Sequence, residues 1–149
     1  MKYDADMVRQ AISLARGRGE RPNLSGHDLS YLMLEHDDLH DVNFSRTDLS
    51  RTDFVGANLA GADLSEAELL GAVFRGAKLP GANLRRASLF QADLSGADLQ
   101  GANLSETSLA GATLVSADLR GANLRGATSD GSTYWSLDFD PVAAGVVKS

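Results

Sequence analysis

The chain has no cysteine among its 149 residues and only three prolines. Without thiols there is neither a disulfide nor a thiolate metal site, and the redox compartment cannot be read from the sequence. Long apolar runs are also missing; none approaches the ~18 residues that a spanning helix requires, so no membrane association is expected. Residues Met1 to Asp6 lack a basic region followed by an apolar run; no secretory signal is read there, and a cytoplasmic location is expected. Clustered cations are scarce as well. The net charge is −6, and only Arg85-Arg86 comes near to a basic cluster, which argues against direct nucleic-acid binding. No Ser/His/acid set marks a nucleophile, because the three histidines all lie early in the chain. An enzyme is not expected.

What is present is a repeat. From Pro22 to Thr128, Leu or Phe returns at every fifth residue for twenty-one consecutive positions, from Leu24, Leu29 and Leu34 to Leu124. Five steps around an α-helix advance about 500°, which scatters these residues over all sides. An ordinary strand alternates faces with period two, so an odd spacing sends successive leucines to opposite faces. The chain must therefore turn once per five residues and keep each leucine inside a coil. Two residues before each central position, from 57 to 127, Ala stands at fourteen of fifteen places, with Thr107 the exception. The residue just before the Leu is mostly Asp or Asn, and the one two after it is often Gly, which suits a polar exterior with tight corners.

Segments such as Ala57-Asn58-Leu59-Ala60-Gly61, Ala62-Asp63-Leu64-Ser65-Glu66 and Ala122-Asn123-Leu124-Arg125-Gly126 resemble the A(D/N)LXX unit of pentapeptide-repeat proteins. The resemblance implies an all-β solenoid: a right-handed quadrilateral parallel β-helix of about five coils, four pentapeptides to a coil. The residues carry a check of their own on the four-sided coil. Of the six Asn that precede a central Leu or Phe, Asn23, Asn43, Asn83, Asn103 and Asn123 share one register of twenty, and only Asn58 falls outside it. A register of fifteen would scatter them. Stacked in this way, Asn side chains can bond from coil to coil as a ladder.

The expected organisation is a helical cap over residues 1–21, the β-helix over 22–128, and an aromatic plug with a short helix over 129–149, all in one structural domain. In the cap, Val8, Ala11, Ile12 and Ala15 share one face of a helix from residue 4 to about 16, with Gly17 and Gly19 to stop it. At the other end Tyr134, Trp135, Leu137 and Phe139 are expected to plug the last coil. Asp140-Pro141 reads as the start of a short helix.

Several motifs are imitations produced by the repeat. His36-Asp37-Asp38-Leu39-His40 has the spacing of a two-histidine zinc site, but that site needs both rings on one helix face. Gly71 to Gly76 mimics a phosphate loop without its Lys-Ser/Thr ending or its helix. No metal or cofactor is expected. Asp37 is the awkward residue, a carboxylate at an inward corner, and it must either swing out or find donors.

The outside carries the functional expectation. Residues 22–68 hold ten acidic and two basic residues, whereas 69–128 hold four and six. On one face of the twenty-residue register Asp28, Asp48 and Glu68 form an acidic column. One residue after the central Leu of the same face, Leu70, Phe90 and Ala110 follow as an apolar column. These five, Asp28, Asp48, Glu68, Leu70 and Phe90, are the candidate partner-binding residues of a rigid protein-interaction scaffold. The rival reading comes from the resemblance: relatives that confer quinolone resistance act as DNA mimics on a type II topoisomerase, DNA gyrase, and the acidic half is compatible with that. In those relatives the C-terminal end joins two rods, which leaves a homodimer open here.

Overall fold

The computed structural model describes residues 2–149. Helix α1 runs Ala5–Gly17, with Asp4 as its N-cap accepting from the Met7 N–H at 2.8 Å. Val8 and Ile12 are its buried residues, as the apolar spacing requires. The chain then coils. Parallel bridges join residues twenty apart from Asn23↔Asn43 to Ser108↔Thr128 without interruption, so each coil has four sides of five residues.

The unit from Asp48 to Thr52 shows how five residues suffice. The Asp48 N–H donates to His27 O in the preceding coil at 3.0 Å. The Leu49 and Arg51 N–H groups donate to Glu68 O and Leu70 O in the following coil, each at 2.8 Å, and the Thr52 N–H closes the corner on Leu49 O at 3.1 Å. One donor is left. The Ser50 N–H points outward, and Asp48 Oδ1 accepts it at 3.0 Å. That is the physical reason for Asp or Asn before the central residue: its side chain satisfies the one N–H that the coil cannot. Pro80, which has no N–H, stands at this same position in the unit where Lys78 supplies no acceptor.

The expected asparagine ladder is corrected by the same observation. Asn23, Asn43, Asn83, Asn103 and Asn123 lie in one register, yet each turns its side-chain oxygen back to the N–H two residues on, at 2.9 to 3.1 Å. No Asn–Asn side-chain bond occurs among the described residues.

Inside, the central Leu and Phe are buried throughout the array, and the Phe54 and Phe74 rings stack at 4.9 Å. Thr replaces Ala at three buried inward positions, and each hydroxyl donates to a backbone carbonyl: Thr47 to Leu24 O, Thr52 to Leu29 O and Thr107 to Leu104 O. The third residue of every corner has positive φ. Where it is not Gly, as at Arg46, Arg51, Glu66, Arg86, Gln91 and Glu106, φ lies between 54 and 62°, a region that costs L-residues energy.

Past Thr128 the chain makes a last, irregular turn. β1 (Thr128–Ser129) pairs in parallel with β2 (Val147–Lys148), while Tyr134 bridges Thr113 with one residue more than the twenty found elsewhere. The plug is smaller than the sequence suggests. Trp135 and Phe139 stack at 5.1 Å and pack on the core with Val146, whereas Tyr134 is exposed and Leu137 fully so. The short helix after Pro141 does not form. Residues 141–145 make turns, because Gly145 takes φ 87° and the chain must come round to pair β2 with β1.

Candidate interaction surface

The acidic column is real as geometry. Asp28↔Asp48 and Asp48↔Glu68 are bridged pairs, so the three side chains stand one coil apart on one face, about 4.8 Å between neighbours. They are not equivalent. Asp28 accepts from the Ser30 hydroxyl at 2.6 Å, from the Ser30 N–H at 3.0 Å and from Lys2 Nζ at 3.2 Å. These bonds, the hydroxyl foremost, hold its carboxyl down at about 2. Among the described residues neither Asp48 nor Glu68 has an ion-pair partner. Leu70 and Phe90 follow in consecutive coils, tied by the Gly71 N–H to Phe90 O bond of 2.9 Å, and Phe90 is 41 % exposed while Leu70 is half-buried. The structure thus brings Asp48, Glu68, Leu70 and Phe90 onto one continuous strip and commits Asp28 to the N-terminal cap.

That cap answers the question of Asp37. Arg9 of α1 donates its Nε–H to Asp37 Oδ2 at 2.8 Å, so the donor comes from the helix and not from a corner amide. Next to it Asp38 accepts from His40 Nδ1 at 2.6 Å and pairs with Arg16 at 3.6 Å; the His40 bond foremost lowers its pKa. His40 is therefore engaged with Asp38 and Arg16, while His36 sits at a corner with φ 58°. Among the described residues no group of three or more potential metal ligands converges, and no helix is long and apolar enough to cross a membrane.

Sequence reading missed a second column. The corner after the asparagine face carries Arg46, Glu66, Arg86 and Glu106 in successive coils, alternating in sign. Arg46 meets Glu66 at 3.7 Å, and Glu106 is held by Arg85 at 2.9 Å and Arg86 at 3.0 Å, which lowers its pKa. The signal was available in the twenty-residue register of the corner positions. Also missed was a carboxyl pair: Glu35 hydrogen-bonds Asp53 one coil on, which raises the Glu35 pKa.

The profile of the family described as "Pentapeptide repeats (8 copies)" matches residues 38–69, 67–105 and 92–128. The chain belongs to the pentapeptide-repeat family. Among solved structures, this pentapeptide-repeat protein is similar to Rfr23, a pentapeptide repeat protein from the cyanobacterium Cyanothece 51142. The two share 26% identity over 86% of this chain and 97% of that one, with a TM-score of 0.78. It is also similar to a pentapeptide repeat protein of the Arabidopsis thaliana thylakoid lumen, at 38% identity over 64% of this chain and 66% of that one, TM-score 0.63. QnrB1, a plasmid-mediated fluoroquinolone resistance protein, superposes with a TM-score of only 0.43 at 23% identity, over 85% of this chain and 77% of that one. So loose a likeness carries nothing about what this chain binds. Curated protein sequences give no significant match.

Proposed function

We propose that this pentapeptide-repeat protein is a non-catalytic scaffold, a rod about 25 Å long that presents one face to a protein partner. The observation that carries the reading is the strip on that face: Asp48 and Glu68, without ionic partners among the described residues, run directly into Leu70 and the exposed Phe90. Apolar groups bordered by charges that no cation of the molecule neutralises are what a selective docking surface needs. The test is a pair of surface variants, Phe90→Ser and Asp48→Asn, the second of which keeps an acceptor for the Ser50 N–H, compared with the wild type by crosslinking in lysate. Loss of a specific partner with an unchanged melting temperature supports the strip; identical capture by both variants defeats it.

The rival is mimicry of DNA toward a type II topoisomerase. The acidity of residues 22–68 favours it, but part of that acidity is spent within the molecule: Asp28, Asp37, Asp38 and Glu66 are paired with Lys2, Arg9, Arg16 and Arg46. A gyrase supercoiling assay with and without fluoroquinolone separates the two. Inhibition or protection at low micromolar protein reverses the ranking.

A further inference from the structure

The two ends of the rod are chemically unlike. Each pentapeptide directs two N–H groups and one carbonyl toward the following coil, and one N–H and two carbonyls toward the preceding coil. The N-terminal end is therefore rich in acceptors and the C-terminal end rich in donors. Helix α1 answers the first with cations. Arg16 spans Asp38 O at 3.1 Å and His40 O at 2.8 Å, Arg9 reaches Met33 O at 2.9 Å, and Lys2 reaches Ser30 O at 2.5 Å.

The last turn answers the second with oxygens. Tyr134 O accepts from the Leu114 N–H at 2.7 Å, Ser136 Oγ from the Ser116 N–H at 2.7 Å, and Gly145 O from the Gly126 N–H at 3.1 Å. Two sides are left incomplete: on the side that carries Asn123 the Leu124 N–H and Ala122 O have no partner among the described residues, although the Gly126 N–H is filled, and the side before it is passed over altogether. On the side that carries Asp118, the Leu119 N–H, the Gly121 N–H and Ala117 O have no partner among the described residues. Beside them lies a cavity of about 570 Å³ with Leu119 and Phe139 as apolar lining and Asp138 at its rim. Asp118 is already held by Arg120 at 2.6 Å, whereas Asp138 makes no ion pair among the described residues.

We propose that this edge is a docking site for an extended, basic segment of a partner protein, which adds to it as a parallel strand. Strand addition of this kind draws affinity from backbone hydrogen bonds and selectivity from alternate side chains. The register is set by the coil below. Asp118 donates to Ala97 O at 2.9 Å and accepts from the Leu99 N–H at 2.8 Å, while Arg120 O accepts from the Gly101 N–H at 3.0 Å. The incoming segment repeats this against Ala117, Leu119 and Gly121. Its middle side chain faces the cavity over Leu119 and is apolar; the flanking one that stacks over Asp118, with Asp138 in the same lining, is Lys or Arg, and the one over Arg120 is uncharged. A second copy of the same end is a poorer occupant. Residues 129–149 carry three carboxylates and one lysine, so two such ends meet with like charge. The edge is separate from the Leu70–Phe90 strip, and each can fail without the other.

The test uses the full chain and an acetylated, amidated pentapeptide with a single register, Gly-Lys-Leu-Ser-Gly. Amide hydrogen exchange is followed at Leu119 and Gly121, with Leu99 and Gly101 as internal standards. Free Leu119 and Gly121 exchange fast, and saturating peptide slows them by at least about tenfold. N-methylation of the peptide amide that reaches Ala117 O removes the effect. Asp138→Lys weakens binding by about fivefold with an unchanged melting temperature. The proposal is overturned if saturating peptide gives no protection, or if the N-methylated peptide protects equally. It also falls if Leu119 and Gly121 are as protected as Leu99 and Gly101 in the free protein: a concentration dependence then identifies a second copy, and its absence shows residues 137–140 closing their own edge.

Discussion

The first two coils and the last three are the same coil built by different means. From Ala57 onward the inward small position is Ala with one Thr, and most corners are Gly, so most units are free of corner strain and need only their neighbours. The first coils hold Pro22, His27, Leu32, Asp37, Val42, Thr47 and Thr52 inside and Tyr31, His36, Asp41, Arg46 and Arg51 at left-handed corners. They are held from inside by buried hydroxyl bonds and from outside by the cations of α1. A repeat array thus tolerates irregular units where a cap can compensate for them.

The sharpest way to break this contrast is to put a carboxylate inside the regular half. Asp37 survives because Arg9 meets it; Leu84 is fully buried, and the adjacent Arg85 and Arg86 are turned outward onto Glu106. Leu84→Asp should leave the rod unfolded, several kcal/mol less stable, and a normal melting temperature refutes the inward assignment. Next in size is Arg9→Ala, which orphans Asp37 and should cost about 1–2 kcal/mol. Adding Asp37→Ala, the residue of the regular units, should restore most of the loss in a chemical-denaturation cycle.

Smaller effects separate the corners. Arg51→Gly relieves a positive φ at a residue without an ion pair among the described residues and should stabilise by about 0.5–1 kcal/mol. Arg86→Gly relieves the same strain but also removes a 3.0 Å pair with Glu106, so its net effect should be close to zero. Equal gains at both corners would mean that the alternating column contributes nothing.

The smallest effect is one of pH. Because Asp53 raises the Glu35 pKa, the folded chain holds that proton more tightly than the unfolded chain. The pair therefore favours folding below the ordinary Glu value of 4.5 and loses that contribution as pH rises through the raised folded value. Asp53→Asn keeps the bond to the Val55 N–H, as Asn58 keeps its own to Ala60. It should raise the melting temperature slightly near neutral pH and leave it unchanged in acid.

The core and the four-sided register were legible because each central Leu and each Asn column repeats a local rule, and α1 because its apolar spacing and its glycine stop are local too. What Asn and Asp do at the position before the central residue was not legible, since the need arises from an N–H that no coil-to-coil bond reaches. Arg9 and Asp37 are twenty-eight residues apart, and no period links a cap to a coil. The last turn was misread because its course is set by where β2 must return, not by the helix signal at Asp140-Pro141. Of the candidate strip, the columns were legible and the diversion of Asp28 to Lys2 was not.

Backbone pairing that continues identically from coil to coil has no intrinsic length. Two rods placed head to tail, with the acceptor-rich end of one against the donor-rich end of the next, would satisfy each other's hydrogen bonds and could grow into a fibre. Helix α1 lies across the first end and fills its carbonyls, and the shift from twenty to twenty-one residues at Tyr134 puts the second end out of step. The cap and the misfit together work against such growth.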